Sequence, residues 1–340
     1  MTLSAQQSAE RSPWTLVTQW DNDLLTGTDR GYTNGARIAI IRELAPNRET
    51  HNTLQSILYR LSGAGADNFW GDDRRFLGED STRFSWGTGI TQLMYTPDNP
   101  NAASAPPGER PYAAWLGVEA SLNVSDRNSV GGVTLSIGTT GKYSQGQETQ
   151  KWVHENLSDS PIYQGWDSQV PGELTLNLHV DRKEKIEFLE NTADWLIEID
   201  GYTEWGAALG NFRTNAYVGA LTRFGYHLTN TYATPRVQLG SYGHALFEPG
   251  SRDHFFSING FVGARATAVL HDITLDGPVF RDFDTGVSPE PLVGEFIFGL
   301  SSRIGAFDLS ISQTLRSDEF NGQSANQRFG SVMMRINFGF

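Results

Sequence analysis

Residues 21–35, DNDLLTGTDRGYTNG, bring together three Asp, two Asn, three Thr and three Gly. Oxygen-bearing side chains on a backbone loosened by glycine are what a hard cation such as Ca2+ requires, since it takes about 6–8 oxygen ligands. The same composition also suits a polar hairpin turn, in which Asn, Asp and Gly supply the backbone conformations. A second polar stretch lies far along the chain at 146–154, GQETQKWVH. It lacks helix breakers beyond its first residue, and Gln147–Leu157 reads as a short helix with Gln147, Gln150 and His154 on one face. Trp152 and Val153 then turn to another side, toward a sheet or toward lipid.

The elements that must position these groups are strands. The 340-residue chain has 36 Gly, 11% aromatic residues, 38% hydrophobic residues and no Cys. No apolar run approaches the ~20 residues of a membrane-crossing helix. Disulfides and thiolate metal sites are excluded. Apolar and polar residues alternate over long runs: Val332, Met334, Ile336, Phe338 and Phe340 against Ser331, Arg335, Asn337 and Gly339; Leu174, Leu176, Leu178 and Val180 against Thr175, Asn177 and His179. The same holds for Tyr112, Ala114, Leu116, Val118, Ala120 and Leu122 against Glu119, Ser121 and Asn123. Period two over this length is the mark of strands with one apolar and one wet face.

A soluble sandwich also alternates, but its strands are usually about 5–6 residues long, and its core would expel mid-strand charges such as Glu198, Asp200 and Arg265. A barrel lumen accepts them. Trp14, Trp20, Trp86, Trp115, Trp195 and Trp205 fall near strand ends, as interfacial girdles do. The fold predicted is an all-β transmembrane antiparallel barrel of about twelve strands, with an alternating terminal strand ending on Phe340. The expected spans are 14–22, 31–42, 82–96, 112–125, 131–141, 173–188, 192–208, 211–225, 254–270, 292–304, 307–316 and 327–340. Residues 1–13 read as a polar segment without a targeting pattern, followed by one barrel domain over 14–340.

With both ends periplasmic, the first three outward loops hold residues 21–35, 95–110 and 142–172. Topology thus brings both polar stretches to one rim. Of the seven His, His154 alone lies in an outward loop beside the acidic, Thr-rich hairpin, which makes it the general-base candidate. Two inward links are long. Residues 43–81 carry Leu54, Ile57, Leu58 and Leu61 at helical spacing, as a plug or cap would, and 226–253 have no period. A lumen of this size is expected to be filled by side chains. The net charge of −13 argues against nucleic acid as a partner.

Three ordered motifs resemble those of the outer-membrane lipid A 3′-O-deacylase family. They are Asn22-Asp23 with Thr28–Gly35; Tyr95-Thr96-Pro97 with Arg110–Trp115; and Gly146–His154 with Gly165–Gln169. The resemblance implies a twelve-stranded barrel in the bacterial outer membrane that removes the 3′-linked acyl or acyloxyacyl group of lipid A by Ca2+-dependent hydrolysis. It places Asn22, Asp23, Thr33 and His154 at active-site positions. Two positions depart from the family pattern. The second outer loop, residues 95–110, has no Lys, and Arg110 is its only base; beyond His154 stands Ser158-Asp159-Ser160, so Asp159 or Glu155 would replace a family Glu.

The expected scheme has Asp23 and Asn22 holding Ca2+, His154 activating water, and Thr33 orienting water or ligands. Asp21, Gln150, Asp159, Glu155 and Arg110 are supporting candidates around substrate lipopolysaccharide. A monomer is expected. No Gly-x-Ser-x-Gly elbow is present. A Ser–His phospholipase barrel, a passive channel and an adhesive barrel are the competing readings.

Overall fold

The computed structural model describes residues 14–23, 31–43, 83–125, 128–156, 161–189, 197–229, 231–240, 242, 255–324 and 326–338. Its strands are β1 (Trp14–Asn22), β2 (Gly31–Glu43), β3 (Arg83–Thr96), β4 (Ala113–Ser125), β5 (Ser129–Thr140), β6 (Leu174–Lys185), β7 (Glu198–Gly210), β8 (Arg213–Tyr226), β9 (Phe256–Asp272), β10 (Leu292–Ile304), β11 (Phe307–Arg316) and β12 (Gln327–Phe338). Helix α1 (Gly146–Asn156) lies between β5 and β6, and a single turn, α2 (Ile273–Asp276), between β9 and β10. Each strand pairs with its sequence neighbours, and β1 pairs antiparallel with β12 from Trp14↔Phe338 to Asn22↔Gly330, closing a twelve-stranded barrel.

The alternation read from the sequence has an inside-out meaning. Ile38, Ile90, Leu174 and Leu270 point away from the barrel and are more than half exposed, while Thr134, Ser331 and Arg335 point inward and are buried. Apolar outside and polar inside is the arrangement of a sheet closed within lipid. Strand β7 ends at Gly210, two residues later than expected, and Asn211 and Phe212 form the short turn to β8. The side chain of Asn177 secures that turn by accepting the backbone N–H of Phe212 at 2.9 Å. Trp115 is a correction: it is buried in the lumen against Phe212 and donates to Thr175 at 2.7 Å, so it is no girdle residue.

The lumen is filled. The inward link after β8, for which the sequence offered no period, runs back between the walls over its described residues. Backbone groups along it bond to wall side chains where a strand would use a ladder. Lys183 donates to the carbonyl of Tyr232 at 2.7 Å, Gln19 to that of Arg236 at 2.7 Å, and Arg37 to that of Gln238 at 2.8 Å. Gly240 N–H donates to Glu119 at 2.9 Å, and Ser312 donates to the carbonyl of Pro235 at 2.8 Å. Buried ion pairs surround it: Arg37–Glu119 at 2.7 Å, Arg236–Glu295 at 2.5 Å and Arg265–Glu204 at 2.6 Å. The helix or plug expected near residues 52–63 lies outside the described residues.

Candidate active site

The outward ends of β1 to β4 carry the site. Trp20 and Asn22 share the outer side of β1, while Gln19 and Asp21 face the lumen. On β2 the register slips between Tyr32 and Asn34: Tyr32 pairs with Tyr95 and Asn34 with Met94, so Thr33 is an extra, bulged residue. Bulges re-aim side chains beside functional sites. Here Tyr32 points inward, with its hydroxyl 3.1 Å from Asp21, whereas both Thr33 and Asn34 reach partners on the outer side. Gly35 makes room for this, since a Cβ there would meet the Tyr32 hydroxyl at 1.9 Å. Thr33 and Thr96 share a hydroxyl–hydroxyl bond of 2.6 Å. Asn34 accepts from Trp20 Nε1 at 2.7 Å and from Asn22 Nδ2 at 3.4 Å. Asp23, just beyond β1, is fully buried.

Helix α1 packs on the outside of this wall. Its buried residues are Gly146, Gln150 and His154, spaced four apart on one stripe. A Cβ on Gly146 would lie 2.5 Å from that of Ala114 on β4, which measures how closely the helix approaches. Met94, Tyr112, Ala114, Tyr163 and Trp166 form a buried cluster between helix and strands. Gln92 donates to the carbonyl of Ser144 at 2.7 Å and ties the turn before α1 to β3. Trp166 Nε1 donates to Gln150 Oε1 at 2.7 Å. His154 Nδ1 lies 2.9 Å from the carbonyl oxygen of Pro161, and its ring sits 6.3 Å from that of Tyr163. Burial pushes the Tyr112 phenol up, so it stays a neutral hydroxyl.

A row of strand partners therefore links the two polar stretches: Asn22↔Asn34, Asn34↔Met94, Met94↔Ala114, with α1 resting on Ala114. A family model described as outer membrane protein LpxR matches residues 1–338. The chain belongs to the LpxR outer membrane protein family. The barrel is embedded in the bacterial outer membrane, as that family and the apolar belt require. LpxR from Salmonella typhimurium has the same fold, with a TM-score of 0.70 at 17% identity, covering 95% of this chain and 100% of that one. An outer membrane channel from Pseudomonas putida F1 gives a TM-score of 0.42 at 8% identity, covering 99% and 100%. The β-domain of the Bordetella autotransporter BrkA gives 0.40 at 10% identity, covering 96% and 99%. No curated protein matches the chain by sequence.

Within this LpxR-family barrel the predicted residues divide. Asn22 and Thr33 lie on the outer side of β1 and β2, and Gln150 and His154 on the buried stripe of α1. Asp21 does not join them, because strand alternation sends it inward to the backbone N–H of Val237 at 3.1 and 3.0 Å. Arg110 is also on the lumen side, paired with Glu319 at 2.6 Å, bonded to Thr274 at 2.8 Å and stacked over Tyr95. Glu155 turns to solvent and pairs with Lys151 at 3.8 Å. Gln147 is exposed, one position off the buried stripe that Gly146 occupies. Asp159 lies outside the described residues. Sequence reasoning passed over Asn34, Thr96 and Trp166 as site residues, although all three stand within the quoted motifs.

Proposed function

We propose that this chain is a Ca2+-dependent esterase that removes the 3′-linked acyl or acyloxyacyl group of lipid A from lipopolysaccharide. The reading is carried by one observation: α1, whose buried stripe carries Gln150 and His154, seats Gly146 on Ala114 of the lipid-facing wall, at the end of the strand-partner row Asn22–Asn34–Met94–Ala114. A lipid whose acyl chains lie along the apolar belt reaches these groups without entering the lumen. A soluble substrate passing through the lumen would meet the chain segment that fills it.

Donor chemistry supports the metal. Asp23 supplies a carboxylate, and Asn22, Thr33 and backbone carbonyls supply neutral oxygens; all are the hard donors Ca2+ takes. Among the described residues no three His, Asp or Glu gather at one point, so such a site would draw on neutral oxygens. Bound there, Ca2+ would polarise the ester carbonyl and stabilise negative charge on its oxygen.

His154 acts as the base. A carbonyl can only accept, so Nδ1 carries the proton toward Pro161 and the neutral ring keeps its lone pair on Nε2. Nε2 takes a proton from water as the water oxygen bonds to the ester carbon and the carbonyl electron pair moves onto oxygen. When the carbonyl re-forms, the bond to the sugar oxygen breaks and Nε2 returns the proton to that oxygen. Ester and water thereby become a carboxylic acid and an alcohol. The Thr33 hydroxyl, fixed by Thr96, orients the water. The test is mass spectrometry of lipid A from cells with and without the protein: loss of one 3′-acyl unit is expected, and an unchanged profile would overturn the reading.

A further inference from the structure

We infer that Asn34 donates a hydrogen bond to the ester carbonyl oxygen, and that Trp20 holds it in the orientation to do so; the inference rests on the esterase reading above. Trp20 Nε1 lies 2.7 Å from Asn34 Oδ1, and Asn22 Nδ2 approaches the same oxygen at 3.4 Å. An indole N–H can only donate. The amide of Asn34 cannot flip without setting its own N–H groups against that donor. Its oxygen therefore faces Trp20 and its nitrogen faces away. Both hydrogen bonds that Asn34 makes among the described residues go to its oxygen. Asn34 is 4% exposed. With the oxygen held by two donors, the amide nitrogen is left to donate to an acceptor brought by a ligand.

The same device stands on the helix side of the site. Trp166 Nε1 pins Gln150 Oε1 at 2.7 Å, Gln150 is 3% exposed, and its Nε2 has no hydrogen-bond partner among the described residues. Two donor-only indoles thus each hold an amide oxygen, one on the barrel wall and one on α1, and each turns an amide nitrogen away from itself. Asn34 pairs with Met94 and Met94 with Ala114, so it stands two strand spacings, ~10 Å, from the strand that α1 covers. The acceptor that suits a preorganised amide donor here is one that gains charge during the reaction. The ester carbonyl oxygen does so when water adds to its carbon, and a donor already in place stabilises that charge without reorganising.

The test is steady-state hydrolysis of lipid A by the purified full-length barrel in detergent with Ca2+. Asn34→Ala and the isosteric Asn34→Asp are expected to lower kcat by about 10²–10³-fold with KM little changed, the range for loss of one such donor. Trp20→Phe, which keeps a ring and removes the N–H, should lower kcat by less and add nothing in an Asn34→Ala background. A heat-modifiable gel shift establishes that each variant is a folded barrel. Wild-type cleavage with Asn34→Ala and Asn34→Asp equally fast, or with only KM raised, would overturn the inference while leaving the esterase reading standing. Wild-type protein that leaves the 3′ ester intact would overturn both.

Discussion

The carboxylate of Asp21 accepts the backbone N–H of Val237, 3.1 and 3.0 Å from its two oxygens. This inward acid stitches the lumen-filling segment to β1, one residue away from an Asn that faces lipid. Removing residues 231–240 should therefore open the barrel. Planar-bilayer recording is expected to find ion conductance in the deletion variant and none in the wild type. Equal conductance in both would show that this segment does not close the lumen.

The wall and this segment are also joined by charge. Arg37 pairs with Glu119 at 2.7 Å, both buried, and Glu119 in turn receives Thr91 at 2.6 Å and Gly240 N–H at 2.9 Å. Arg37→Met leaves a buried carboxylate without its cation, a change that costs about 3–5 kcal/mol. Urea unfolding should register it as a lower midpoint, whereas an exposed pair such as Lys142–Asp167 should be nearly silent when broken.

His154→Gln keeps a side chain of similar length and removes the base. Hydrolysis of the lipid A 3′ ester should fall by about 10²–10⁴-fold. Glu155→Gln, one residue on but facing solvent, should stay within about twofold of wild type. Equal losses in the two variants would mean that the helix, and not the imidazole, is what matters.

Chelation tests the metal. Excess EDTA should abolish hydrolysis and added Ca2+ restore it, while Asp23→Asn should stay inactive at any Ca2+ concentration tried. Hydrolysis that persists unchanged in chelator would remove Ca2+ from the scheme.

Gly146 sets how closely α1 approaches the wall. A Cβ there meets Ala114 at 2.5 Å and Trp166 at 2.9 Å, so Gly146→Val must lift the helix. A displacement near 1 Å at a reacting centre costs about 10²-fold. Activity should drop by that order while the unfolding midpoint of the barrel, which rests on strand pairing, hardly moves.

Strand alternation is local and two-valued, so the sequence by itself determined the barrel, its twelve strands and the meeting of both polar stretches at one rim. It did not determine the side of the wall on which each rim residue works. That depends on parity, and the bulge at Thr33 changes parity near the start of β2, giving Thr33 and Asn34 the same side. Only packing revealed that α1 seats Gly146, Gln150 and His154, because the close approach needs a residue without a Cβ where Gln147 seemed as eligible. The lumen-filling segment shows no period for a related reason. Its backbone is satisfied by side chains of distant strands such as Gln19, Arg37 and Lys183, and the partners of such a segment exist only once the sheet has closed.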